Sequence, residues 1–199
     1  MQFADLVRSR RMTRSFSPTP VDAVLIDECV SLASRAPSAG KTQGWSMLVL
    51  EGADTQRYWD IAFPIERRDS FAFPQLFLAP VIALSLTDPT AYLDRYSESD
   101  KAHTDLGTTR ESWPAPYWTI DASFATMTFL LALEDRGLGA LFFAHANEDG
   151  LRATFEIPQH VEILGSIACG YPDVVSAQAG RSAARPRRDV AHIIHRGKW

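Results

Sequence analysis

Four arginines fall within seven positions near the start of the chain: Arg8, Arg10, Arg11 and Arg14. A second group, Arg181, Arg185, Arg187 and Arg188, lies close to the other end. A guanidinium is planar and offers a fork of donors that matches phosphate or carboxylate better than a lysine point charge does. The chain as a whole is acidic, with 20 Lys+Arg against 24 Asp+Glu and a net charge of −4. Arginines concentrated against that balance point to an anionic ligand, the competing reading being a solvated basic face with surface ion pairs. The two clusters are expected to converge on one phosphate-bearing ligand. The acidic balance argues against nucleic acid as the partner.

Other chemistries find little support. There is no Gly-x-x-x-x-Gly-Lys-Ser/Thr phosphate loop, no Gly-x-Ser-x-Gly elbow and no His-Glu-x-x-His. Gly137-Leu-Gly139 follows a helical pattern and precedes a strand pattern, the reverse of a dinucleotide fingerprint. His192 and His195 are three apart without an acidic or cysteine companion, so no metal site is expected. Cys29 and Cys169 form no metal-type spacing and read as core residues.

These residues need elements to position them. Phe3, Leu6 and Val7 make a short helical stripe ahead of the arginines, ended by Ser17-Pro-Thr-Pro20, with Pro20 suited to the first turn of the next helix. Leu25, Cys29, Leu32 and Ala36 recur at helical spacing over 21–35, with acids at the start. The stretch 36–45, Ala-Pro-Ser-Ala-Gly-Lys-Thr-Gln-Gly-Trp, is a small-residue loop that lets backbone approach something flat closely. Strands are expected at 46–51, 81–87, 140–144 and 161–171, with helices at 54–62, 119–136 and, capped by Asn147, 148–155. Phe124, Met127, Leu130, Leu131 and Leu133 make the long helix apolar around much of its circumference, as for core and subunit interface together. Residues 92–118 read as an irregular, lid-like segment rich in aromatics. A basic tail, 173–199, could hold one more strand at 190–194 and is expected to dock on a partner subunit.

The length, 199 residues, suits one domain over 1–199, and 46% hydrophobic with 22% charged residues is the composition of a soluble globular protein. No run approaches the apolar length of a membrane span, and the N-terminus has no signal-like core, so a cytoplasmic location is expected.

Four features occur in order: the arginine-rich start, the Ala-Pro-Ser-Ala-Gly-x-x-Gln-x-Trp loop, the Gly-Leu-Gly turn after a long helix, and Arg185-Pro-Arg-Arg188. In this combination the chain resembles the nitroreductase family, homodimeric flavoenzymes that bind FMN, over about 2–58 and 119–199. The resemblance implies an α+β fold, with a mostly antiparallel central sheet flanked by helices and a C-terminal tail extended onto the partner. It also implies FMN as bound cofactor, NAD(P)H as electron donor and flavin sites at the subunit interface. The acceptor would be a small molecule such as a nitroaromatic or quinone, reduced by a ping-pong mechanism. Carried over, Arg10, Arg11 and Arg14 hold the phosphate and the pyrimidine side of the ring. Met12 lends main-chain contacts where a serine is usual, and Arg185, Arg187 and Arg188 join at the phosphate. Pro37, Ser38, Ala39 and Lys41 would border the ring from the other subunit, with Lys41 where asparagine is usual. Phe143, Ala144 and His145 would lie beside N5, His145 replacing a glycine or acid. No side-chain nucleophile is needed, because the cofactor does the chemistry. Trp113, Tyr117, Trp118 and Phe142 are candidates to wall the pocket, with core packing as the alternative for each. Related readings are a dehalogenase, a flavin-fragmenting or deazaflavin-related enzyme, and a flavin-storage protein.

Overall fold

The structure, a computed structural model, describes residues 2–199. Four strands form one sheet: β1 (Trp45–Glu51), β2 (Val81–Thr87), β3 (Gly139–Phe143) and β4 (Glu162–Gly170), in the order β1-β2-β4-β3. Every pairing is antiparallel. β2 is buried at every position and sits between β1 and β4.

Alternation along the central strands makes two cores. Ile82, Leu84 and Ala168 face one side, where α3 (Ala53–Ala62) and α6 (Glu148–Phe155) supply Tyr58, Trp59 and Leu151. Val81, Ala83, Ile167 and Cys169 face the other, against Ile26 and Cys29 of α2 (Ala23–Ala33) and Phe129 and Leu133 of α5 (Tyr117–Asp135). Both cysteines are core residues as expected; burial pushes the Cys29 thiol up to about 11 and raises that of Cys169 further. Leu133 is fully buried, so Leu133→Ala is expected to cost about 2–5 kcal/mol, read as a lower urea unfolding midpoint.

Local chemistry sets the element ends. Asp22 caps α2 by accepting from Val24 N, so Pro20 lies before the helix rather than in its first turn. Asn147 caps α6 by accepting from Gly150 N. The segment expected to be irregular begins with a helix, α4 (Pro89–Ser97), capped by Asp88 and started by Pro89. Beyond it Trp113 and Trp118 pack with Tyr92 in a small core of their own. The tail forms a single 3-10 turn at Val190–His192, capped by Asp189, instead of a strand. A Val/Ile run becomes a strand only where an open edge pairs with it, and every tail residue from 181 on is exposed.

Candidate functional site

The arginine stretch follows α1 (Phe3–Ser9) and is stitched to the free edge of β3. Met12 bridges Ala140, and Thr13 N donates to Ala140 O at 2.9 Å. This close approach explains the glycine at the start of β3. A Cβ on Gly139 would lie 2.5 Å from Thr13 Oγ1. On its other side the stretch meets the chain leaving β4: Phe16 bridges Pro172, Asp173 N donates to Ser15 O, and Ser15 Oγ donates to Ser176 O.

The two arginine clusters come together in the fold through Arg14 and Arg181. Arg14 and Arg181 line one cavity of about 460 Å³, walled by Phe71, Phe73, Phe142 and Phe143. Arg14 also donates to Met12 O and lies over the Phe73 ring, 5.4 Å from its centroid. Arg185, Arg187 and Arg188 lie beyond, exposed on the tail, with Arg188 donating to His192 O. Arg10 is half-buried, and Arg11 folds back to donate to Ser9 O and Arg10 O at the end of α1.

Pro37, Ser38 and their neighbours lie elsewhere. They line a smaller cavity of about 140 Å³ with Tyr92 and Asp121, and the two cavities share no residue. Within one chain, then, the loop 37–41 does not join the arginines. Lys41 is exposed. Of the candidate wall aromatics, Phe142 reaches the larger cavity, whereas Trp113 and Trp118 are core.

The turn after β3 carries a charged chain. Phe143 stacks on Trp59, 5.8 Å between centroids, and Ala144 is exposed. His145 Nε2 lies 3.0 Å from Glu148 Oε2, and Glu148 Oε1 accepts two bonds from buried Arg152, at 2.8 and 2.6 Å. These partners, His145 first and then Arg152, hold the Glu148 carboxyl below its ordinary range. A carboxylate facing Nε2 assigns the imidazole proton there. Nδ1 is buried with no partner among the described residues.

Because the folded-state value of Glu148 is depressed, its contribution to stability is present above the ordinary carboxylate range. It is lost as pH falls through the depressed value. Glu148 is 45% exposed, so Glu148→Gln is expected to cost about 1 kcal/mol near neutral pH. The difference from the parent should shrink in acid, as read from unfolding midpoints measured between neutral and low pH.

The nitroreductase family's sequence profile matches residues 7–171. The chain belongs to the nitroreductase family. A protein named NADH dehydrogenase from Thermus thermophilus is 27% identical over 177 residues, covering 82% of this chain and 83% of that protein. A 4-nitrobenzoate reductase from Nocardioides is 28% identical, covering 92% and 85%. Among solved structures, a nitroreductase family protein from Streptococcus pneumoniae superposes with a TM-score of 0.76 at 21% identity, covering 98% of this chain and 99% of that one. Like other nitroreductases, this protein is an NAD(P)H-dependent oxidoreductase with a nitroreductase-like α+β fold. Members are generally flavin-dependent and generally dimers. Among the described residues no helix is long and apolar enough to cross a membrane.

Phe71, Phe73 and Asp121 escaped the sequence reading, and Arg181 was read only as a member of its cluster. The alternation Phe71-Ala-Phe73 and an acid, Asp121, followed by an apolar stretch of helix were the available signals.

Proposed function

We propose that this nitroreductase binds FMN at a site shared by two copies. There it takes reducing equivalents from NAD(P)H and passes them, in a ping-pong cycle, to a nitroaromatic, quinone or similar electrophile in the cytoplasm. The observation that carries the reading is the larger cavity. It sets the guanidinium groups of Arg14 and Arg181 among four phenyl rings. An aromatic ring system bearing a phosphate fits that pairing of cations and flat apolar walls, and about 460 Å³ lies in the range of small-molecule sites. The relative named 4-nitrobenzoate reductase supports a nitroaromatic acceptor.

When bound, FMN supplies N5 as the atom that accepts a hydride and later releases it to the acceptor. The chain's own residues bind, orient and polarise. Arg10, Arg11 and Arg181 neutralise the phosphate, with Arg185, Arg187 and Arg188 as further cations on the same tail. Arg14 places positive charge on the pyrimidine side, where negative charge gathers on reduction. Met12, fixed against Ala140, lends main-chain contacts. Phe142 and Phe143 would wall the ring, and the turn Ala144–His145 would offer it main-chain N–H. Pro37, Ser38, Ala39 and Lys41 of the second copy close the other side. Their separation from the arginines within one chain supports this.

The visible absorption spectrum of the purified protein, with identification of whatever heat releases from it, tests the reading. A yellow protein releasing FMN, and oxidising NAD(P)H with a quinone, is expected. A colourless protein that takes up no added FMN would overturn it. FMN without turnover would make the protein a flavin store.

A further inference from the structure

The loop 37–44 is held in a conformation that its own residues disfavour. Lys41 and Gln43 are left-handed, at φ 56° and 58°, beside Gly40 at φ 59°. Such backbone persists only where the surroundings over-determine it. The loop's own bonds, Lys41 N to Ser38 O, Thr42 N and Oγ1 to Ala39 O, and Gln43 N to Ser38 Oγ, are all local turns and leave its placement to the surroundings.

Its restraint comes from α4 and α5. Asp121, buried in α5, accepts Ala39 N–H on Oδ2 at 2.8 Å, and the buried Tyr92 donates its hydroxyl to the same oxygen at 2.9 Å. Arg95 Nε donates to Gly40 O at 2.9 Å, and its two other nitrogens are bracketed by the Asp100 carboxylate at 2.8 and 2.9 Å. The tyrosine rings fill the remaining space. A Cβ on Gly40 would lie 2.9 Å from Tyr96, and one on Gly44 2.7 Å from Tyr92. Four groups from two helices thus converge on eight residues of loop, distant in sequence from both.

We infer that Asp121, Tyr92 and Arg95 are positioning residues that preset the loop 37–44 for the flavin of the partner subunit. The inference rests on the proposal that this loop borders that flavin. It makes the stretch around α4 a clamp on the site rather than a flap over it. None of the three touches the reacting atoms. Each acts through the loop's backbone.

Tyr92→Phe removes one hydroxyl and keeps the ring, and Asp121→Asn keeps the shape. Amide hydrogen exchange in the flavin-free protein reads the loop itself, and an FMN fluorescence titration reads its consequence. Faster exchange confined to 37–44 is expected in both variants, with the FMN dissociation constant raised about 5- to 30-fold by the loss of a buried charge-assisted bond. KM for the acceptor should move with it, while unfolding stays cooperative, its midpoint lowered only by the loss of one buried hydrogen bond. Should Asp121→Asn fail to fold, Tyr92→Phe carries the test. Unchanged exchange at 37–44 would overturn the clamp. A loosened loop with parental FMN affinity would overturn its role at the site. Failure of the parent to bind FMN would instead sink the proposed function, so the two failures are told apart.

Discussion

Replacing Arg14 by alanine is expected to raise the dissociation constant for FMN roughly 10- to 100-fold, the equivalent of one charge-assisted contact of about 1.5–3 kcal/mol. Arg14 is half-buried, anchored to Met12 O and backed by Phe73, so its guanidinium is preorganised rather than recruited on binding. Arg181 shares the cavity but sits on an exposed segment, so Arg181→Ala should weaken binding less. Arg187→Ala should do least, because Arg187 lies beyond the cavity lining, on the exposed tail. Fluorescence titration of the flavin-free protein at fixed ionic strength ranks the three. Parental affinity in Arg14→Ala would show that the cavity's cation is not what holds the ligand. A larger loss in Arg187→Ala than in Arg181→Ala would show that the tail is redirected when a second copy is present.

That ranking depends on a path the sequence could not disclose. The clusters showed where positive charge is stored, and the fold brings one arginine from each, Arg14 and Arg181, to the same cavity. Which tail arginine meets Arg14 is set by Ser15, which pairs with Asp173 and Ser176 across some 160 residues of chain. Local pattern carries no such information. The same divide runs through the fold. Val81–Thr87 was legible because Pro80 and Asp88-Pro89 bound a buried run, and Glu148–Phe155 because Asn147 announces a cap. Asp88-Pro89 read only as the end of that strand, although the pair is also the cap and first-turn proline of α4, because the interleaved polar and aromatic residues behind it hid the helical period. Asp121 passed unread in the sequence. Its meaning lies in Ala39 and Tyr92, 82 and 29 residues away.

The largest effect is expected from Phe124→Asp. Phe124 and Met127 project from α5 at 48% and 40% exposure, on the longest helix, whose other side is core. Phe3 and Val7 on α1, and Val24 and Leu32 on α2, are exposed as well. Both helices pack against α5. Members of this family are generally dimers, and these exposed apolar side chains on helices packed together make their face the expected site of association. A carboxylate placed there must shed its water against an apolar partner, a cost that should leave the variant monomeric at micromolar concentration. If the loop 37–44 serves the flavin of the other copy, losing the dimer removes one wall of every site. FMN binding should then fall further than in Arg14→Ala, which loses a single contact. Sedimentation velocity and FMN titration at the same protein concentration measure both effects together. A monomer that keeps parental FMN affinity would contradict the shared site while leaving the cavity of Arg14 intact. A variant that stays dimeric would place the interface on another face. Because the variant leaves the arginine cluster and the Asp121 clamp untouched, a joint loss of dimer and flavin would tie the binding site to assembly.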